Sequence, residues 1–393
     1  MPEQVVIVGG GIAGTAAALA LRTADIPVTV LESRPAEHGE GSVVRLNPNG
    51  MDALRAVDAH QPIIGASFPL VRTERVTPGG KRIGYALAAD PASPRGLPRV
   101  LHWATLSRLL RERASERGAT FRHDAAVVDV DERAAVLDTG ERVEGDVLVG
   151  ADGVHSLVRR RIDPDAPAPE RIGTRTVYGF ASKPGCEPPP PEVLRAQLGA
   201  KAFFAATRES RSGGCFWFTS LPVPERAEPR DRERLRAELV ELYADDGGIA
   251  ATVVANSESI LTFDDHALHS LPHWQDRNRI VIGDALHVAP PASEQGAALA
   301  VEDGVELARC LRDLPVAEAL ATFERLRRER VEAVVAAGRA GTSRAHQPLL
   351  AKKMRELRSK AQRLIDWQRR PPTGGGWAYD HHIEWNEKAS ESG

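Results

Sequence analysis

Three glycines and one acid near the start of the chain carry its densest chemical signal. Gly9, Gly11 and Gly14 have G-x-G-x-x-G spacing and directly follow the apolar run Val5-Val6-Ile7-Val8. Glu32 closes a second apolar run, Pro27-Val28-Thr29-Val30-Leu31. These residue types, in the order strand, glycine turn, helix, strand, acid, fit dinucleotide binding. Gly9 permits a tight turn, Gly11 lets a pyrophosphate approach the backbone, and Gly14 lets the helix lie near the sheet. The helix N-terminus turns free N–H groups and a positive dipole end toward the phosphates. Glu32 is placed to accept bonds from ribose hydroxyls, which favours FAD or NAD over NADP. The bland alternative is a tight turn that binds nothing; the flanking strands and the acid argue against it.

Two further glycine–acid motifs lie downstream. Gly150-Ala151-Asp152-Gly153 comes directly after the run Asp146-Val147-Leu148-Val149 and continues through Ser156 to Arg159. Gly283-Asp284 comes after Arg279-Ile280-Val281-Ile282 and leads through Pro290-Pro291 to Gln295-Gly296-Ala297. A strand ending in Gly-Asp at the C-terminal edge of a parallel sheet points its carboxylate into the ligand crevice. Asp284 can there accept a ribitol or ribose hydroxyl. The helix expected from about Gly296 to Leu311 aims its N-terminus at whatever lies above it. For an isoalloxazine that is the N1–C2=O edge, where a positive dipole end stabilises the anionic reduced ring.

Taken in order, these motifs resemble the class A flavin-dependent aromatic monooxygenases, the p-hydroxybenzoate hydroxylase-like group. Leu46-Asn47-Pro48-Asn49-Gly50 and the stretch from Ala300 to Ala308 are similar to the same family. The resemblance spans roughly Val5 to Arg339 and is weakest in the middle. It implies FAD as cofactor, with Gly9, Gly11, Ala13, Gly14 and Glu32 holding the ADP half. Val127 would give a backbone contact to adenine, Arg45 would lie near the ribityl chain and ring, and Asp284 would bind the ribityl-pyrophosphate region. Pro291, Gln295, Gly296 and Ala297 would lie at the ring. Asp152 and Gly153 belong to a motif linked to FAD and to NAD(P)H handling. The resemblance further implies NADH or NADPH as reductant, molecular oxygen as co-substrate, and hydroxylation of an aromatic or polycyclic small molecule through a flavin C4a-hydroperoxide. No side chain is assigned as catalytic.

Some readings stay open at this level. Asp152 and Arg159 also read as a structural capping pair, and Arg45 as a surface arginine. Trp103 stands where many family members have an arginine, and it cannot form that residue's charge-assisted bonds. Glu294 occupies a flavin-loop position usually held by a small residue; it either faces solvent or acts on substrate as a base. An FAD-binding protein without oxygenase activity, or a related halogenase or reductase, would share the cofactor frame. The halogenase Trp-x-Trp-x-Ile-Pro motif is absent from the chain.

The elements needed to position these groups imply an α/β fold: a Rossmann-like FAD-binding domain, an inserted antiparallel β-sheet substrate domain and a C-terminal helix. The expected division is 1–75, 100–172 and 272–345 for the FAD domain, 76–99 and 173–271 for the β-rich domain, and 346–393 for the C-terminal helix and tail. Helical patterns cover Ile12 to Arg22, Gly50 to Val57 and Ala104 to Arg117. Alternation at Thr176–Phe180, Ala202–Ala205 and Cys215–Phe218 reads as an antiparallel sheet. Its aromatic residues Phe204, Phe216 and Phe218, with Pro290, are the substrate-pocket candidates, and Phe203 and Trp217 are further ones. Leu350 to Trp367 reads as a basic amphipathic helix and the tail beyond Pro371 as mobile at its end, with His381 and His382 solvated. His287 reads first as a structural histidine.

Bulk properties bound the function. A chain of 393 residues implies two or three domains. With 51 basic and 54 acidic residues the net charge is −3, which gives no broad nucleic-acid signal. Three cysteines make no disulfide framework or metal pair and fit a reducing cytoplasm. No metal site and no membrane span is expected, and the oligomeric state is open.

Overall fold

Val5–Val8 is apolar at every position, as a strand covered on both faces must be. In the computed structural model, which describes residues 1–36, 42–223, 231–345 and 376–391 (backbone alone for 340–345), it lies inside a six-stranded sheet. The order across that sheet is Gln275–Asp276, Arg279–Val281, Val147–Gly150, Val5–Val8, Val28–Leu31, Thr120–Arg122. All pairs are parallel except the first edge pair. Val5 aligns with Val28 on one side and Val147 on the other. The three glycine–acid motifs therefore leave the sheet at the same edge. The alanine-rich helix Ile12–Thr23 packs against Gly296–Asp313, and ten of its residues are buried.

The β-rich part is a seven-stranded sheet in the order Ser259–Ala267, Glu170–Ala181, Cys215–Pro222, Phe203–Arg208, Val193–Leu198, Arg72–Val76, Arg82–Leu87. Arg72–Val76 lies wholly in it, paired in parallel with Val193–Leu198, so the sheet begins before the expected division at 75. One face carries Val177, Phe204, Ala206 and Trp217 against the helices Arg232–Tyr243 and Ala250–Ala255. The opposite face carries Tyr178, Phe216 and Phe218. Side chains alternate along a strand, so Phe204 and Phe218 cannot share a face when Ala205 is the partner of Phe218. Phe204 is thus a core residue, stacked on Trp217 at 5.8 Å, and the expectation that it lines a pocket is corrected. Trp217 is core for the same reason.

The expected helix Leu350 to Trp367 falls outside the described residues. The described tail, 376–391, is docked rather than loose. Ile383 and Ala389 are buried in the main core. Arg309 donates to the carbonyls of Glu384 and Glu387, and Arg312 donates to that of Trp385 while lying over its ring at 4.8 Å. His382 is exposed, as expected from the sequence, while its ring pairs with Asp52; His381 is instead largely buried and accepts from Arg327 at 3.3 Å, which corrects the expectation that it is solvated.

A buried ionic cluster ties the tail to the FAD-domain core. Arg327 donates to Glu302 at 2.5 Å and to Asp303 at 3.0 Å, and Arg330 donates to Glu302 at 2.7 Å. Burial alone would push both carboxyls up; Arg327 and Arg330 reverse this for Glu302, and His287 and Arg327 for Asp303, holding both below the usual range. Removing one partner of such a cluster strands the other charges in a dry site. We expect Arg327→Leu to cost about 3–5 kcal/mol in a urea-unfolding titration. His381 adds a pH dependence. Burial, with Arg327, Arg330 and Arg95 nearby, lowers its pKa to about 4. The folded state therefore refuses a proton that the unfolded or undocked tail accepts from about pH 6.5 downward. Tail docking should be complete above about pH 6.5 and weaken progressively toward about pH 4, read as falling hydrogen-exchange protection of 376–391 relative to the intrinsic rate at each pH; His381→Gln should flatten that profile.

Candidate active site

Two cavities meet at the C-terminal edge of the parallel sheet. One, of about 790 Å³, runs along Gly9, Gly10, Glu32, Val127, Asp152 and the first turns of the Trp103–Glu116 helix. The other, of about 670 Å³, lies between the flavin-loop residues Pro290 to Ala297 and the seven-stranded sheet. Gly11, Arg34, Trp103, Ala151 and Gly153 line both, so the two form one elongated cleft. Its junction sits at the open N-terminus of the Ile12–Thr23 helix, whose N-cap Gly11 supplies no capping side chain.

The glycine turn is built for close approach. Gly9 has φ +106°, and a Cβ there would strike the backbone of Ala151. A Cβ at Gly14 would collide with the Gly9 carbonyl oxygen. At Gly11 an added Cβ meets nothing within 4 Å, because that position opens into the cleft. Glu32 accepts from Gly10 N at 2.7 Å and Arg34 N at 2.9 Å, which fixes the carboxylate at the cleft wall.

Asp152 spends its carboxylate on a helix start. It accepts from Leu157 N at 2.6 Å and Val158 N at 3.1 Å, and from the hydroxyl of Ser156 at 2.5 Å. Arg159 bonds the carbonyls of Ala285 and Val154, tethering this motif to the Gly283-Asp284 loop. The capping alternative thus describes these side chains, while Asp152 and Gly153 still line the cleft. Asp284 also lines it, its side chain open to the cleft, and the surrounding protein walls push its carboxyl up. His287 is satisfied by Asp303 at 2.7 Å and is structural.

At the other end, Pro290, Pro291, Gln295, Gly296 and Ala297 all line the cleft at the start of the Gly296–Asp313 helix. Gln295 accepts from Asn49 at 2.9 Å, and its own Nε2 is buried without an acceptor. That donor, the open helix N-terminus and the space above Gly11 fit an elongated cofactor with a pyrophosphate and a polar ring edge. Glu294 is neither fully solvated nor free: it pairs with Arg45, and its backbone takes φ +54°. Arg45 is only 15% exposed, so it is not an ordinary surface arginine; it also donates to the Tyr379 hydroxyl at 2.8 Å and to the carbonyl of Ala88. Tyr379 comes from the docked tail, and no signal in the sequence linked it to this site.

Phe216 and Phe218, two of the substrate-pocket candidates from the sequence, line the cleft together with the flavin-loop residues. The sequence reading missed Tyr178, Phe263, Thr176, Thr207 and Leu194 on the same wall. The pairings Thr176 with Phe263 and Thr207 with Phe216 put them there, and such register is invisible in one strand's pattern. Among the described residues, no group of histidine, cysteine and acidic side chains could hold a metal ion, and no helix is long and apolar enough to cross a membrane.

Known proteins resemble this chain in sequence and in fold. The profile of the FAD binding domain family matches residues 3–338. Aurachin C monooxygenase/isomerase of Stigmatella aurantiaca is 27% identical over 347 residues, covering 84% of this chain and 87% of the relative. FAD-dependent monooxygenase OpS4 of Beauveria bassiana is 29% identical over 365 residues, covering 85% and 83%. The zeaxanthin epoxidase of Oryza sativa subsp. japonica is 29% identical over 335 residues; the match takes in 78% of this chain but only 48% of that longer protein. Klebsiella pneumoniae HpxO, solved with FAD and uric acid, superposes with a TM-score of 0.81 at 22% identity, over 93% of this chain and 95% of that one. The P. aeruginosa PqsL complex with 2-aminobenzoylacetate gives 0.72 at 23% identity, over 87% and 96%. The matched family and the glycine-lined cleft agree: this chain belongs to the FAD binding domain family and is an FAD-dependent monooxygenase with the class A flavoprotein hydroxylase fold.

Proposed function

We propose that the protein uses NADH or NADPH and molecular oxygen to hydroxylate a neutral, largely apolar aromatic or polycyclic small molecule. The observation that carries this reading is the composition of the wall facing the flavin loop. At the flavin-loop end of the cleft the seven-stranded sheet contributes Thr176, Tyr178, Leu194, Thr207, Phe216, Phe218 and Phe263, and among the described residues no charged side chain. Tyr178 lies 6.0 Å from both Phe216 and Phe263, ring centre to ring centre, so the rings form one patch. A flat apolar substrate gains by burial against such a patch, at roughly 25 cal/mol per Å² of apolar surface removed from water. A carboxylate there would lose its hydration without a partner on the sheet side.

Bound FAD would take two electrons from the nicotinamide and supply the oxygen chemistry. The chain's own residues do the rest. Gly11 and the Ile12–Thr23 N-terminus receive the phosphates, and Glu32 the ribose. Asp284 meets the ribityl region, and Gln295 to Ala297 present N–H groups to the ring edge. Arg45, held by Glu294 and Tyr379, puts a fixed cation on the flavin side of the cleft, where developing negative charge is stabilised. Phe216, Phe218, Tyr178 and Pro290 exclude water from the reacting face and orient the substrate plane.

Gly11→Val should leave circular dichroism and thermal unfolding near wild type, because the new side chain enters open space. It should weaken FAD binding by about 100-fold or more, measured by flavin fluorescence quenching. Unchanged affinity would remove Gly11 from the cofactor path. For the substrate class, NAD(P)H oxidation by the FAD-loaded enzyme should rise several-fold with neutral bicyclic or tricyclic aromatics and little with benzoates. Phe218→Arg should abolish the first response. Preferential stimulation by benzoates would overturn the apolar-substrate reading.

A further inference from the structure

The nucleotide end of the cleft holds more positive charge and more unused hydroxyls than the FAD-domain motifs account for. Arg34, Arg108, Arg111 and Arg211 line it, against two carboxylates, Glu32 and Asp152. Both carboxylates already accept backbone N–H bonds. Arg34, Arg111 and Arg211 have no carboxylate at ion-pair distance among the described residues; Arg108 pairs with Glu112. Ser107, only 8% exposed, keeps a buried Oγ with no hydrogen-bond partner, and so does Ser210. Both serines line this same space. A buried hydroxyl without a partner is costly, and two among the residues lining one cavity mark a place where a polar ligand belongs.

Ser210 and Arg211 are not part of the FAD domain. They form the tip of the hairpin between Phe203–Arg208 and Cys215–Pro222, on the β-rich sheet. The tip is held in shape from within. Glu209, 3% exposed, accepts from Arg211 N at 2.7 Å, Ser212 N at 2.6 Å and the Ser212 hydroxyl at 2.8 Å. The hairpin therefore presents Ser210 and Arg211 to the cavity that Ser107 also lines, without needing to order on binding.

We propose that Ser107, Ser210 and Arg211, with Arg34 at the junction of the two cavities, form a phosphate clamp that joins the two domains across the dinucleotide. Trp103 brings no charge to that junction, so the pyrophosphate draws its side-chain cations from Arg34 on one wall and from the substrate-domain hairpin on the other. This rests on the FAD reading given above. The ligand chemistry is a dinucleotide phosphate, which FAD or the nicotinamide reductant can provide.

The test uses full-length protein in two arms. In the first, FAD and riboflavin, which lacks phosphate, are titrated into wild type, Arg211→Ala, Arg211→Lys and Ser107→Ala. In the second, FAD-loaded protein is reduced anaerobically over a range of NADH and NADPH concentrations. If FAD's phosphates are held, Arg211→Ala weakens FAD about tenfold and leaves riboflavin unchanged, and Arg211→Lys restores part of the loss. If the reductant's phosphates are held, FAD affinity stays and the apparent Kd for the nicotinamide rises by a similar factor. Ser107→Ala gives a signature that a merely structural hydroxyl would not: the apo protein melts at the same or higher temperature while ligand affinity falls. Unchanged affinity for FAD, NADH and NADPH in both Arg211→Ala and Ser107→Ala overturns the clamp. Failure of wild type to bind FAD at all instead overturns the cofactor reading itself.

Discussion

The structure turns on one close approach: a helix must begin, uncapped, at the end of a buried strand, with nothing between its first N–H groups and an anion. Gly11 leaves that path open, Gly9 takes the positive φ the turn needs, and Gly14 lets the helix sit against the turn. The apolar Val147–Gly150 and the largely apolar Val28–Leu31 flank Val5–Val8 in parallel, so the three motifs emerge together at the strands' C-terminal ends. The length of a dinucleotide sets the remaining geometry. The cleft must run from Glu32 to Ala297, and the β-rich sheet must close its far end.

Much of this was legible in the sequence because it depends on local spacing. The glycine fingerprint, the helices beginning near Ile12, Pro48, Trp103 and Gly296, and the strands ending in Gly150 and Val281 all arise from patterns within about a dozen residues. Phe216 and Phe218 were legible as a pair, since alternation puts residues two apart on one face. Which face was not legible. Phe204 went to the core because the register of Phe203–Arg208 against Cys215–Pro222 sets it beside Trp217, and register is a tertiary fact. Tyr178 and Phe263 entered the pocket wall by the same route.

The tail shows a different limit. Its glycines and charges read as solvent-exposed, yet 376–391 is bound mainly through its backbone carbonyls to arginines of the core helices. Carbonyl-to-arginine bonds leave no mark in the bound segment's own composition. The consequence reaches the active site. Tyr379 holds Arg45, Arg45 holds Glu294, and the same stretch places His381 against the Arg327 and Glu302 cluster whose Asn49 contact supports Gln295. The flavin loop is thus braced by residues more than eighty positions away, through a cluster too buried to relax around a missing charge.

Three separated motifs and the aromatic wall enclose a single FAD: that is the central claim, and a crystal structure of the protein with FAD tests it most directly. The pyrophosphate should lie over Gly11 at the Ile12–Thr23 N-terminus, with the isoalloxazine between Gln295–Ala297 and the wall of Tyr178, Phe216 and Phe218. FAD found elsewhere, or its ring held away from that wall with the cleft closed by protein side chains, would contradict it.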